Sequence, residues 1–156
     1  MKIDSKDLQF GCALLSKDNK KLLSLGLLFL SGLRRSYSDE LAYKEPSNRF
    51  YPKTDNNFGV QIQRECLHIT VKGSLDRFEP WSQTFEIKKF RGDSYWGFHL
   101  RSQADVTKAL EVIACARTKE ETAQERQESQ KCRQVLRLLQ GLNPEQLAAV
   151  LVKANV

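Results

Sequence analysis

Leucine dominates one segment near the start of the chain, from Lys20 to about Ser36. Its leucines fall on nearly every side of a helical projection: Leu22, Leu23, Leu25, Leu27, Leu28, Leu30 and Leu33. Asp18 or Asn19 can cap this helix at its start. A helix that is apolar all round belongs at the centre of a core or in an interface between subunits. Gly26 and Gly32 would let another element approach it closely.

Two segments that follow, Phe58–Gln63 and Leu67–Val71, alternate apolar and polar side chains with a period of two. This alternation is typical of half-buried β-strands. The apolar positions change parity between the two segments, which predicts a bulge or a tight turn near Arg64 and Glu65. Both segments are expected to lie in one antiparallel sheet.

A β-hairpin is predicted where Thr84–Phe90 and Tyr95–Leu100 flank the turn candidate Gly92-Asp93. A symmetric loop fixes the pairing of the two strands. One face, which we assign to the core, then holds the pairs Phe85–Leu100, Ile87–Phe98 and Lys89–Trp96. The other face holds the pairs Thr84–Arg101, Glu86–His99, Lys88–Gly97 and Phe90–Tyr95.

The segment between the leucine-rich helix and the first strand, residues 36–57, contains the turn formers Pro46, Asn48 and Pro52. We interpret it as a long connection. Its aromatic side chains indicate a loop that packs on the body of the protein and is not a free linker: Tyr37, Tyr43, Phe50 and Tyr51.

After the hairpin, Ser102 is a good cap for a helix whose apolar stripe runs from Val106 to Ile113. The stretch 117–131 is helix-prone but almost without apolar residues, so it has nothing to bury. An apolar stripe resumes at Cys132, and a short helix is expected after Asn143 as cap and Pro144 in the first turn.

These elements predict the α+β fold class. We expect an antiparallel sheet of about four strands in residues 58–101, packed by helices, with a C-terminal helical arm. The corresponding division is a core domain at 1–116, a polar helical spacer or linker at 117–131, and the arm at 132–156.

The net charge is +6, from 25 basic and 19 acidic residues. A basic balance favours partners such as nucleic acid. The excess is spread along the chain, so any basic surface must be built by folding. The longest apolar stretch, Leu22–Leu33, would rise about 18 Å as a helix, short of the roughly 30 Å of a bilayer core. We expect no membrane span and a cytoplasmic protein.

The chain contains few residues that suggest catalysis or metal binding. Its four cysteines are scattered, and Cys66 with His68 is the nearest approach to a pair of metal ligands. His68 and His99 both fall on predicted strands, and Glu86 opposite His99 is an ordinary cross-strand pair. We expect a protein that is not an enzyme and that needs no metal or cofactor.

The non-core face of the hairpin carries the strongest functional pattern. Phe90 and Tyr95 lie side by side there, and flat aromatic rings stack on unpaired bases while neighbouring cations hold phosphates. The leading hypothesis is therefore a protein that binds single-stranded DNA or RNA. Its proposed contacts are Lys88, Phe90, Tyr95 and Arg101, with Arg64 and Lys72 as phosphate contacts. The competing interpretation of this face is that the leucine-rich helix covers it.

The alternative function is a protein-interaction or oligomerisation module. Large exposed apolar patches usually mark interfaces, and the leucines of the arm lie beyond a polar spacer. A homo-oligomer or another protein would then cover the leucine-rich helix and the arm, the latter through Leu138, Leu139, Leu142, Leu147 and Leu151.

Overall fold

The computed structural model describes residues 5–118, 123–146 and 148–149. The chain divides into two compact units, 1–118 and 119–156. Among the described residues, the first unit contains three α-helices, three 3₁₀ helices and six strands, and the second contains one long α-helix. In chain order the elements are α1 (Ser5–Leu15), α2 (Lys20–Ser36), β1 (Leu41–Lys44), β2 (Arg49–Pro52), β3 (Phe58–Ile62), β4 (Leu67–Lys72), β5 (Lys88–Arg91), β6 (Tyr95–Leu100), α3 (Val106–Arg117) and α4 (Ala123–Gln140).

The strands form one open antiparallel sheet in the order β1-β2-β3-β4-β6-β5. The α+β class is confirmed, and residues 58–101 contribute four strands, but the sheet has six strands and not about four, because β1 and β2 lie before residue 58. Residues 41–52 are a hairpin and not a loop. Pro46 lies in the short 3₁₀ turn Glu45–Ser47, and Asn48 adopts a left-handed conformation (φ 48°) that reverses the chain. Pro46 and Asn48 therefore mark the bend between two strands of four residues each, whereas Pro52 is the last residue of the second strand.

One face of the sheet is the core. Phe50, Val60, Ile69 and Phe98 lie side by side on four adjacent strands, and each is at most 1% exposed. Helices α1, α2 and α3 bury their apolar residues in the same cluster. On α2, Leu22, Leu25, Phe29, Leu30 and Leu33 are buried, whereas Leu27 and Leu28 stay about half exposed. The leucine-rich helix is therefore mostly covered within its own unit, on the core side of the sheet.

Two glycines and an N-terminal asparagine cap determine how α2 is placed, as the sequence indicates. A side chain at Gly26 would collide with Leu14 of α1, and one at Gly32 would collide with Leu110 of α3. The close approach predicted at these two glycines is thus confirmed. Asn19 is the cap, because its Oδ1 accepts a hydrogen bond from the backbone N–H of Leu22 at 3.1 Å.

The β5–β6 hairpin keeps only part of its predicted register. Lys88 pairs with Gly97 and Lys89 with Trp96, as expected, but the register then shifts so that Arg91 faces Tyr95. The predicted pair Phe90–Tyr95 is wrong, because Phe90 is the extra residue of a β-bulge. The chain before Lys88 is not in the strand, since the backbone N–H groups of Thr84 and Phe85 both donate to the carbonyl of Trp81.

Four further pairings of that hairpin are wrong, because β5 begins only at Lys88. The pairs that are not formed are Thr84–Arg101, Phe85–Leu100, Glu86–His99 and Ile87–Phe98. His99 of β6 instead pairs with His68 of the neighbouring strand β4. Phe85 still reaches the core, where its ring centroid lies 4.5 Å from that of Phe98. The turn near Arg64 is a four-residue connection in which Gln63 N–H donates to Cys66 O, and no register shift occurs between β3 and β4.

The second unit contains α4, a single helix that spans both the end of the polar stretch and the start of the apolar stripe. After it, Asn143 Oδ1 accepts from Gln146 N–H at 2.8 Å, which confirms Asn143 as a cap. Leu138 is exposed, Leu139 and Leu142 are partly exposed, and Leu147 and Leu151 lie outside the described residues. Within the described ranges, no helix is both long enough and apolar enough to cross a membrane.

Candidate nucleic-acid interface

The face of the sheet opposite the core is not covered by α1, α2 or α3. Its residues alternate with the core row along every strand, so that Arg49, Gln61, His68 and His99 form one row across β2, β3, β4 and β6. Phe90 stays 42% exposed on this face. The competing interpretation, in which the leucine-rich helix buries Phe90 and Tyr95, does not describe this structure. We refer to this surface as the open face.

A groove of about 610 Å³ runs along the open face. Its size falls within the range of ligand sites in proteins, about 300–1,000 Å³. Aromatic and cationic side chains share its lining: Tyr51, Phe90 and Tyr95, with Lys44, Arg49 and Arg91. Among the described residues that line it, none is acidic. The groove therefore combines stacking surfaces with positive charge.

Phe90 and Arg49 meet above the middle of the sheet, although they start from strands at opposite sides of it. The Arg49 guanidinium carbon lies 4.6 Å from the centroid of the Phe90 ring, a cation–π distance. Gly97 makes room beneath Phe90, and the His68 ring, 5.4 Å from Phe90, occupies the space where a side chain at Gly97 would lie. Burial lowers the pKa of Arg49.

Tyr95 marks the other end of the groove, next to the β5–β6 turn. Its hydroxyl lies 3.4 Å from Asn56 Nδ2, which donates to it, and Lys72 Nζ lies 5.8 Å from its ring centroid. The phenol is thus partly held in place while one side of the ring reaches the groove. Lys72 adds positive charge near this end.

His68 and His99 form a stacked pair within the open face, with ring centroids 4.7 Å apart and an interplanar angle of 32°. Burial, then the neighbouring His99 and Arg49, lowers the pKa of His68 to about 4. Burial, with Arg101 and Lys88, also lowers the pKa of His99. Both rings are therefore neutral at pH 7. His68 Nδ1 is buried and has no hydrogen-bond partner among the described residues.

The depressed pKa of His68 predicts a pH dependence of stability. Above pH 6.5 the His68 ring is neutral in both the folded and the unfolded chain. Below pH 6.5 the ring takes up a proton in the unfolded chain, whereas in the folded chain it stays neutral until about pH 4. The free energy of unfolding should fall with decreasing pH by at most about 1.4 kcal/mol per unit, and by less because solvent reaches part of the ring. Urea unfolding at pH 7 and pH 5 should show a smaller fall for His68→Gln. Equal falls in both proteins would contradict this assignment.

The six residues predicted to bind nucleic acid are only partly brought together. Phe90 and Tyr95 line the groove, and Lys72 lies beside Tyr95. Lys88 is exposed on the open face but forms an ion pair of 3.0 Å with Glu86. Arg64 lies in the turn between β3 and β4, and Arg101 follows β6, so neither lines the groove. These two are separated from it because they lie beyond the opposite ends of the strands that carry Lys72 and Tyr95.

Sequence reasoning missed four groove residues: Lys44, Arg49, Tyr51 and Arg91. Three of them come from β1 and β2, the hairpin that was interpreted as a loop. In the structure Arg49 to Pro52 alternate between partly buried and buried positions, but a run of four residues is too short for its sequence pattern to separate a strand from a loop. Arg91 was assigned to the predicted turn.

Among the described residues, no group of three or more His, Cys, Asp or Glu side chains is placed to hold a metal ion. The four cysteines are free thiols. Comparison with protein families, curated proteins and solved structures finds no match. The site must therefore be interpreted from its own chemistry.

Proposed function

We propose that this protein binds single-stranded nucleic acid in the groove of its open face, without catalysing a reaction. The observation that carries the proposal is the lining of the groove, which brings three solvent-accessible aromatic rings and three cations together and includes no acidic side chain. A nucleic-acid strand supplies bases that match the aromatic rings and negatively charged phosphates that match the cations.

The choice of single strands follows from the aromatic residues. Rings that project from a sheet stack on bases only when those bases are unpaired and accessible. Tyr51 and Tyr95 are partly exposed in the groove, and Phe90 is 42% exposed. In a duplex the rings could contact only the sugar–phosphate backbone, and they would form no stacking interaction with the bases.

The proposal is tested by fluorescence anisotropy with a labelled ten-nucleotide thymidine strand and its uridine counterpart. Three phosphate contacts, from Lys44, Arg49 and Arg91, should give a slope of about −2 for log Kobs against log salt, at roughly −0.7 per contact. An affinity that does not change with salt, or no binding at low salt, would contradict the proposal. A duplex of the same length should bind more weakly.

A matched pair of variants distinguishes the effect of charge in the groove on binding from the effect of charge elsewhere on the protein. Arg91→Ala should weaken binding and reduce the magnitude of the salt slope by about 0.7. Lys108→Ala, which removes an exposed cation from α3 on the helical side, should change neither quantity. If both variants behave alike, binding depends on overall charge and the groove is not the site.

Self-association through α4 is a second candidate function, because apolar residues remain exposed on that helix. Val135, Leu136 and Leu138 are 54%, 57% and 72% exposed. Covering the exposed part of these three side chains is worth roughly 3–5 kcal/mol per chain, at about 1.5–3 kcal/mol for a fully exposed side chain. A second copy of the chain would cover them most simply through two-fold symmetry.

Light scattering coupled to size exclusion tests this second candidate. The wild type should elute as a dimer, and Leu138→Glu with Leu139→Glu should give a folded monomer. The control Gln130→Glu with Gln134→Glu adds the same charge to polar positions of α4 and should leave the dimer intact. A wild-type monomer at high protein concentration would rule out self-association.

A further inference from the structure

Among the partly buried arginines in the described part of the first unit, Arg49 is the one whose guanidinium has no hydrogen-bond acceptor. Arg34 donates to both carboxylate oxygens of Asp7, and Arg77 donates to two backbone carbonyls at 2.6 and 2.7 Å. Arg49 donates to no residue in the part of the chain that the structure describes, although it is partly buried. A buried charge is retained at a cost unless something pairs with it. Its position therefore suits an anion that enters from outside.

The guanidinium of Arg49 is also held in place before any ligand binds. Its carbon lies over the Phe90 ring at 4.6 Å. Its Nη1 passes near Gly59, 3.8 Å from the point where a side chain would begin, and Thr70 Oγ1 lies 2.9 Å from the same point. A planar guanidinium fixed in this way can give two parallel hydrogen bonds to phosphate oxygens.

Two cavities meet at Arg49. The groove of about 610 Å³ continues toward Tyr51 and Tyr95, and a second cavity of about 400 Å³ extends toward Ser47 and Gln61. Arg49 and Phe90 line both cavities, and so do Lys44 and Arg91. A charged group bound at Arg49 would therefore have room for a neighbouring nucleoside on each side.

We propose that Arg49 binds the internucleotide phosphodiester between two successive nucleotides, one seated in each cavity. This inference rests on the proposed function, because it assigns the part of the strand that the open face recognises. The minimal ligand is a dinucleotide with a charged linkage. A terminal phosphate or a free nucleoside would occupy only part of this site.

The test uses two-dimensional NMR of ¹⁵N-labelled protein titrated with the thymidine dinucleotide d(TpT). Its methylphosphonate analogue, thymidine, thymidine monophosphate and inorganic phosphate are titrated in parallel. We expect d(TpT) to bind about 10- to 100-fold more tightly than the uncharged analogue, as a charge-assisted hydrogen bond predicts. Arg49→Gln should lose the same factor for d(TpT) and should no longer distinguish it from the analogue. Arg35→Gln, which changes an exposed arginine of α2 on the core side of the sheet, should match the wild type.

The comparison of ligands on the wild-type protein keeps the proposal testable even if Arg49→Gln fails to fold. Equal affinity for d(TpT) and its analogue would overturn the inference, as would tighter or equal binding of thymidine monophosphate or inorganic phosphate. An unchanged preference in folded Arg49→Gln would also overturn it. If the ten-nucleotide strand still binds in these cases, the proposed function stands and only the role of Arg49 is wrong. If that strand does not bind, the proposed function itself fails.

Discussion

Replacing Phe90 and Tyr95 together by alanine should weaken binding of a ten-nucleotide single strand by about 2–6 kcal/mol, or roughly 30- to 10⁴-fold. Each ring is expected to stack on one base, and a lost stack costs about 1–3 kcal/mol. Phe90 also supports the Arg49 guanidinium at 4.6 Å, so its removal should loosen a phosphate contact as well. Anisotropy titration at one low salt concentration measures the loss.

A control with similar exposure is available on the opposite side of the sheet. Leu27 and Leu28 of α2 are 48% and 46% exposed, close to the 42% of Phe90. Replacing both by alanine should leave affinity within about twofold, which corresponds to the roughly 0.5 kcal/mol expected of surface changes. A comparable loss in both double variants would place the binding surface somewhere other than the groove.

The second large effect concerns stability. Phe50→Ala should lower the free energy of unfolding by about 3–5 kcal/mol, because it removes a fully buried ring and leaves a cavity. Phe50 is 0% exposed and its ring centroid lies 4.9 Å from that of Phe10 and 4.7 Å from that of Tyr43. Urea unfolding followed by circular dichroism measures the change.

The neighbouring residue provides the contrast for this prediction. Tyr51 points to the open face and lines the groove, so Tyr51→Ala should cost much less stability than Phe50→Ala and should instead weaken strand binding. A loss below about 1 kcal/mol for Phe50→Ala would mean that residues 41–52 do not belong to the sheet, since surface-like changes are of that size or smaller.

Local pattern was enough to predict several elements of the fold. The alternation in Phe58–Gln63 and Leu67–Val71 matches β3 and β4, and the leucine-rich segment is α2 with Asn19 as its cap. The strands β1 and β2 were missed because four-residue strands are too short for periodicity to separate them from a loop. Pro46 and Asn48 then favoured the wrong interpretation, although both lie in the hairpin turn.

The site depended on information that no local pattern contains. Arg49 and Phe90 meet although β3, β4 and β6 separate their strands, and Gly59 and Gly97 place no side chains on the open face between them. The bulge at Phe90 then breaks the symmetric register that the hairpin sequence predicts. Phe90, Tyr95 and Lys72 were found from residue type and alternation, whereas the cations of the groove required the strand order.

Photochemical crosslinking tests the central claim, strand binding on the open face, most directly. A ten-nucleotide strand carrying 5-iododeoxyuridine is bound at low salt and irradiated, and the crosslinked peptides are identified by mass spectrometry. The account predicts crosslinks at Tyr51, Phe90 or Tyr95, lost when unlabelled single strand competes. Crosslinks confined to the outer surfaces of α2 and α3, or none above an unbound control, would contradict it.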